Sequence, residues 1–258
     1  MIGKVFLIGA GPGDPELMTL RAVRMLEAAD VVVYDKLVSA EILAMSPPGA
    51  RMISVGKSPK CHPVTQDGIN DILLREALDG HTVARLKGGD PMIFGRGSEE
   101  AAHLMQHGVA VEYAPGITAA QGASCSTGVP LTHRGLATGV QYVTGHRQAD
   151  NVLDLDWKRL ANPNTTLVVY MGVANIAQIA IGLMTENLPG STPVMAVAKA
   201  TTPDEKRLLS RLDHIAQDIR EAEFSAPVLF IIGRVVSLYA QNPVSELAPE
   251  IQQVIAHG

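Results

Sequence analysis

Between residues 4 and 113, short runs rich in Val, Ile and Leu alternate with amphipathic segments, and that rhythm restricts the fold more than any other feature of the chain. Residues 4–8, 31–34, 51–55, 82–86 and 110–113 read as strands. Most are too short for helices and too continuously apolar to be half-exposed, so both faces of the sheet are expected to be covered. Residues 17–29, 66–78 and 98–107 carry helical spacing. Leu17, Leu20, Val23 and Leu26 or Ala28 face inward in the first, and Ile69, Ile72, Leu73 and Leu78 lie near one side of the second. Strand and helix alternating in this way predict an α/β fold with a mostly parallel sheet. The rhythm breaks at Pro115-Gly116, because the residue before Pro is pushed to extended geometry and Gly adds freedom. The break marks the expected boundary between a domain of residues 1–114 and a second α/β domain of residues 115–242. Strands are expected there near 140–144, 166–171, 193–198, 207–211 and 228–232, and helices over 118–126, 175–188 and 213–221. Residues 243–258 read as a short, loosely attached terminal helix.

Composition narrows the functional classes. Of 258 residues, 47% are hydrophobic and only 4% aromatic, so an aliphatic core is expected and wholesale disorder is excluded. The net charge of −5 argues against a nucleic-acid binder with a dominant basic face. An anionic small molecule stays possible if a few cations gather in one pocket. Two cysteines, Cys61 and Cys125, are too few for a disulfide framework and read as structural. No apolar stretch approaches the ~18 residues of a membrane span, and the amino terminus does not resemble a signal peptide. A soluble cytoplasmic protein is the expectation.

Three glycine-containing turns follow expected strands. Gly9-Ala-Gly-Pro-Gly-Asp14 has the look of a dinucleotide fingerprint, but Asp14 stands where close helix–strand packing wants Gly, and Pro12 lacks an N–H for a pyrophosphate. Asp14 as a helix N-cap is the plainer reading. Asp35, after the second strand, could mimic a ribose-binding acid, which keeps a nicotinamide enzyme as an alternative. The second turn spans 85–100, where Gly88 and Gly89 permit backbone approach to a ligand and Asp90 could accept from an amine or hydroxyl. The third is 113–120, at the expected boundary, with Thr118 resembling an N-cap. His103 and His107 share a helix face, yet no third ligand pattern accompanies them, so no metal site is expected.

Taken together, these segments resemble the tetrapyrrole methylases, the class III S-adenosylmethionine methyltransferases. The likeness is carried by GAGPGDPELMTLRA (9–22), VVVYDKLV (31–38), GKSPKCHPVTQDGIN (56–70), VARLKGGDPMIFGRGSEEA (83–101), PGITAA (115–120), GVPLTHRG (128–135), TGH (144–146) and TLVVYMG (166–172), in family order across almost the whole chain. The resemblance implies two α/β domains with the active site in the interdomain cleft, and a homodimer. It implies S-adenosylmethionine as methyl donor, S-adenosylhomocysteine as product and no metal. The implied reaction is methylation of uroporphyrinogen III at C2 and C7, through precorrin-1 to precorrin-2, on the way to sirohaem, cobalamin or haem d1. Alternatives within the fold are methylases of later precorrins, of protein or of RNA; outside catalysis, the alternative is an adenosyl-ligand sensor.

Carried over residue by residue, cofactor contacts fall on Pro12, Gly88, Gly89, Asp90, Ile93, Thr118, Ala119, Met171 and Ala200. The acid–base positions fall on Asp35 and Lys57. Ala200 departs from the pattern, which usually has Gly before Thr-Thr-Pro; the contact survives that methyl only where φ is negative. A substrate with eight carboxylates calls for Arg, whose fork matches a carboxylate bidentately. Arg96 and Arg134 are the candidates, Arg51 more weakly, with His133 and His146 assisting and Arg96 also in the catalytic set. Glu99 would repel such a substrate unless it accepts from pyrrole N–H or orients Arg96. Met171, following a strand, reads as core on residue type alone.

Overall fold

The computed structural model describes residues 1–56, 64–146 and 153–241. The chain divides into two compact units, the first Met1–Ala119 and the second from Ala120 onward.

The first unit holds β1 (Lys4–Gly9), β2 (Val31–Tyr34), β3 (Arg51–Ser54), β4 (Thr82–Lys87) and β5 (Ala110–Ala114), ordered β3-β2-β4-β1-β5. Every neighbouring pair is parallel. Its helices are α1 (Leu20–Glu27), α2 (Ala40–Leu43), α3 (Gln66–Leu78) and α4 (Gly97–Gln106). Successive strand residues point to opposite faces. Phe6, Ile8, Val32 and Leu86 meet Ala22, Met25, Leu26 and Ile42 on one side, while Val5, Leu7, Val31, Val33 and Val83 meet Ile69, Leu73, Ala77, Ala101 and Leu104 on the other. Each fully buried side chain of this kind contributes about 1.5–3 kcal/mol, which is why the strands are apolar on both sides.

Residues 17–29 are not one helix. Asp14 does cap, accepting from the Glu16 amide, but what it caps is a single 3-10 turn, Pro15–Leu17. Thr19 is then extended, and its hydroxyl accepts from the Ala22 amide to start α1 at Leu20. This interruption turns the inner stripe to Ala22, Met25 and Leu26 and leaves Leu20, expected inside, 75% exposed. Ala28 is exposed too, as is Leu78 at the last turn of α3.

The second unit opens with α5 (Ala119–Thr127), which begins at the boundary. It contains β6 (Gly139–Thr144), β7 (Thr165–Tyr170), β8 (Pro193–Ala198), β9 (Lys206–Arg211) and β10 (Val228–Ile232), ordered β6-β7-β10-β8-β9. The sheet is mixed. β6 and β7 are parallel, β10 runs against both its neighbours, and β8 and β9 pair antiparallel. Thus β6, β7 and β8 share one direction. Helices α6 (Trp157–Leu160), α7 (Ile176–Thr185) and α8 (Ile215–Glu221) contribute Leu160, Ile176, Ile179, Leu183, Ile215 and Ile219 to a core with Leu167, Val169, Phe230 and Ile232. Cys125 is an exposed free thiol, not a core residue. Among the described residues no helix is long and apolar enough to cross a membrane, and no three metal-ligating side chains converge. Lys57, Cys61, His62 and the 243–258 segment lie outside the described residues.

Candidate active site

Because the first sheet is fully parallel, all its strands deliver their carboxyl ends to one edge, where ligands of open α/β sheets bind. Three turns meet there at backbone distance. Gly11 and Gly89 exchange hydrogen bonds, N to O at 3.2 Å and 2.7 Å, joining the turn after β1 to the turn after β4. A Cβ on Gly116 would lie 2.1 Å from the Gly89 carbonyl oxygen, and one on Gly9 would lie 2.4 Å from the Gly116 nitrogen. Only glycine permits three chains to approach this closely. Gly89 itself has φ 68°, yet its Cβ direction meets nothing nearer than 3.9 Å, from Thr118 and Ala119. Gly89, Thr118 and Ala119 therefore border a notch lined by main chain, with ordinary contact distance across it.

Asp90 locks this arrangement. One carboxylate oxygen accepts from the Gly116 amide at 3.0 Å and the other from the Met92 amide at 2.8 Å. The side chain keeps acceptor capacity for a further donor. Beyond it, Met92, Ile93 and Phe94 present an exposed apolar rim. Phe94 and Arg96 both have positive φ, 52° and 57°. Such conformations cost of order 1–3 kcal/mol each and cluster at binding sites. Arg96 grips Glu99 with both arms, Nε–Oε1 3.0 Å and Nη2–Oε2 2.6 Å. That bidentate hydrogen bond raises the Arg96 pKa and lowers that of Glu99. Glu99 thus holds the Arg96 guanidinium by two of its nitrogens.

Asp35 follows β2 on the same edge. Its Oδ1 accepts from the Leu37 amide at 3.0 Å, and its Oδ2 lies 3.8 Å from Arg85 Nη2. Behind it is a cluster the sequence reading missed. Arg85 and Lys87 sit two apart on β4, so they project to the same side as Val83, under α3 and α4. There Glu100 Oε1 accepts from Arg85 Nε at 3.3 Å, Lys87 Nζ at 2.9 Å and Gln66 Nε2 at 3.2 Å. The Glu100 side chain is 0% exposed. The available signal was two cations at alternate positions ending an apolar strand, which requires a buried counter-charge. Arg51 is at the opposite, amino edge of the sheet, paired with the buried Glu76, and does not reach this site.

In the second unit the shared direction of β6, β7 and β8 brings His146, Met171 and Ala200 to one edge. Met171 is 50% exposed with φ 53°, so it is not a core residue. Gly145 and Gly172 touch there, since a Cβ on Gly145 would fall 2.6 Å from Gly172 Cα. Ala200 is buried and is not among the positive-φ residues; Lys199 and Thr201 on either side take φ 47° and 66° instead. The extra methyl is therefore accommodated. His133 and Arg134 stand apart from this trio, both exposed in a turn closed by His133 and Ala137 that precedes the amino end of β6.

Residues 4–216 match the family of tetrapyrrole (corrin/porphyrin) methylases. The chain is 53% identical over its full length to uroporphyrinogen-III C-methyltransferase of Paracoccus denitrificans, covering 90% of that protein. It is 48% identical over 236 residues to siroheme synthase of Methylococcus capsulatus, spanning 50% of that longer protein. A crystal structure of uroporphyrin-III C-methyl transferase from Thermus thermophilus complexed with S-adenyl homocysteine superposes with a TM-score of 0.77 at 43% identity, covering 91% of this chain and 93% of that one.

Proposed function

The chain belongs to the tetrapyrrole methylase family, and from that membership we propose that it is an S-adenosylmethionine-dependent C-methyltransferase that converts uroporphyrinogen III to precorrin-2 through precorrin-1. The observation that carries this reading is the 53% identity maintained over all 258 residues. The reading includes a cytoplasmic homodimer that uses no metal ion.

The notch bordered by Gly89, Thr118 and Ala119 fits a cofactor with amino and hydroxyl groups, because it offers main chain without obstructing side chains. Pro12, Gly88, Asp90 and Ile93 complete that binding surface in the first unit, and Met171 and Ala200 are the proposed contacts from the second. When bound, S-adenosylmethionine supplies an electrophilic methyl: the C–S bond breaks, its electron pair stays on sulfur, and a C–C bond forms from the pyrrole π electrons. The acceptor carbon is electron-rich and needs no base before attack, so the chain's main task is alignment. Asp35 then takes the proton that leaves the macrocycle, a service worth about 10²–10⁴-fold. Lys57 is assigned the same step by its place in the motif. Arg96 and Arg134 are the proposed ligands of substrate carboxylates, and Glu99, His133 and His146 are the proposed assisting residues.

Anaerobic incubation with S-adenosylmethionine and uroporphyrinogen III tests the reading. S-adenosylhomocysteine should accumulate as product absorbance rises. If no methyl leaves the donor, the reading fails.

A further inference from the structure

Met171 follows β7 in the left-handed region, with φ 53°, and its side chain is half exposed. A non-glycine residue keeps such a conformation where the structure on both sides of it is fixed. Tyr170, on the near side, is fixed twice. Its carbonyl accepts from the Gly145 amide at 2.7 Å, and its phenol oxygen accepts from the Ala120 amide at 3.3 Å. Gly172, on the far side, lies against Gly145, whose Cβ position falls 2.6 Å from Gly172 Cα. Gly145 therefore meets both flanks of Met171. Asn175 secures Gly145 in turn, its Nδ2 donating to the Gly145 carbonyl oxygen at 2.6 Å, while its backbone amide donates to the Gly172 oxygen at 3.0 Å. Asn175 is buried and stands at the N-cap of α7, where asparagine usually accepts from an amide of the first helical turn. Here its side chain makes no capping bond and is aimed instead at a turn 30 positions earlier in the chain.

We infer that Asn175 is a positioning residue for cofactor binding: by holding Gly145 it keeps the Met171 backbone in the left-handed conformation that sets the direction of the thioether side chain. This rests on the proposed function, in which Met171 contacts S-adenosylmethionine. Without the Asn175 amide the Gly145 turn loses its tie to the start of α7, and Met171 relaxes toward the extended conformation favoured at a strand end.

A double-variant cycle with Met171 tests this. Asn175→Ser keeps a good N-cap for α7 but is too short to hold Gly145. Its affinity for S-adenosylhomocysteine by calorimetry should fall about fivefold, the effect of losing one ordinary internal hydrogen bond. KM for S-adenosylmethionine should rise to match while KM for uroporphyrinogen III stays within about twofold, a split that general loosening of the unit would not produce. Met171→Gly should also weaken binding, because the side chain is lost. Adding Asn175→Ser to Met171→Gly should then change affinity by less than about twofold, since glycine takes positive φ without support. Thermal midpoint reports folding, and Asn175→Asp, the same outline with an acceptor toward Gly145, serves where Asn175→Ser does not fold. Unchanged affinity in the Asn175 variant overturns the inference, as does a second loss of about fivefold in the double variant or an equal rise in both KM values. Met171→Gly separates the two levels. If it binds S-adenosylhomocysteine as the wild type does, the cofactor contact has failed; if it binds more weakly while the Asn175 variant does not, only the positioning role has failed.

Discussion

The contact of Gly116 with the turns after β1 and β4 gives the sharpest prediction. An alanine Cβ there would lie 2.1 Å from the Gly89 oxygen and 2.8 Å from both Cα and carbonyl carbon of Gly9. Ordinary contact begins at 3.4 Å, so the Gly89 carbonyl has to retreat by about 1.3 Å. All three obstacles are backbone, and both turns leave strands at the centre of the sheet, so none moves cheaply. Overpacking of this kind costs about 1–3 kcal/mol. The shift also strains the Gly116 amide bond to Asp90, and a hydrogen bond to a charged group is worth about 1.5–3 kcal/mol. Because Asp90 is partly exposed, the lower part of the summed range applies, roughly 2.5–4 kcal/mol. Gly116→Ala should lose that much in denaturant unfolding, and its affinity for S-adenosylhomocysteine by calorimetry should fall at least about tenfold, or 1.4 kcal/mol. Gly49→Ala is the control, since nothing lies within 4 Å of its Cβ position, and should change stability by no more than about 0.5 kcal/mol. A Gly116→Ala protein with wild-type stability and affinity would refute the argument that backbone proximity shapes the notch.

Three further outcomes are expected. Arg96→Leu should cut turnover of the tetrapyrrole severely while S-adenosylhomocysteine binding by calorimetry stays within about twofold; equal loss of both would place Arg96 with the cofactor instead. Asp90→Ala should weaken S-adenosylhomocysteine binding by about tenfold or more, because two turns lose their shared anchor, and an unchanged Kd would remove Asp90 from the cofactor surface. Lys87 holds its proton less tightly in the fold than its ordinary 10.5, so the unfolded chain binds more protons in the window below 10.5. Its contribution to stability therefore rises as pH climbs through that window. Lys87→Met should flatten this alkaline rise in unfolding free energy measured from pH 8 to 10.5, and an unaltered slope would contradict the assignment.

What the sequence disclosed follows from which forces act locally. Strands β1 and β2 were legible because two-sided burial imposes apolar residues at nearly every position, and α3 matches the expected 66–78, where the apolar spacing runs unbroken. Leu20 was misplaced because a single extended residue, Thr19, resets helical phase, and periodicity read across that break assigns the wrong face. The antiparallel β10 was not legible, since the direction of a fully buried strand leaves no mark on its composition. In the site, glycine spacing exposed the turns after β1 and β4. The Arg85–Glu100 cluster stayed hidden because charges 15 positions apart are joined only by folding α4 over β4.

An acidic chain proposed to bind a polyanion led to the expectation of a local positive pocket, and the first unit answers differently. At its carboxyl edge three cations are already committed, Arg85 to Asp35 and Glu100, Lys87 to Glu100, and Arg96 to Glu99. A substrate carboxylate that takes Arg96 must first displace Glu99, exchanging one charge-assisted bidentate pair for another, so the swap alone yields little affinity. The exchange becomes favourable when the incoming molecule also brings a donor for the released Glu99. On the proposed function, uroporphyrinogen does so, since its pyrrole N–H groups lie inside the ring of carboxylates. Paired Arg96 and Glu99 would then select for acid arms and N–H donors together, a pattern that a simple polyanion lacks. Selectivity in a net-negative protein is thus better served by a cation held in pawn to a neighbouring carboxylate than by an unpaired positive pocket open to any anion.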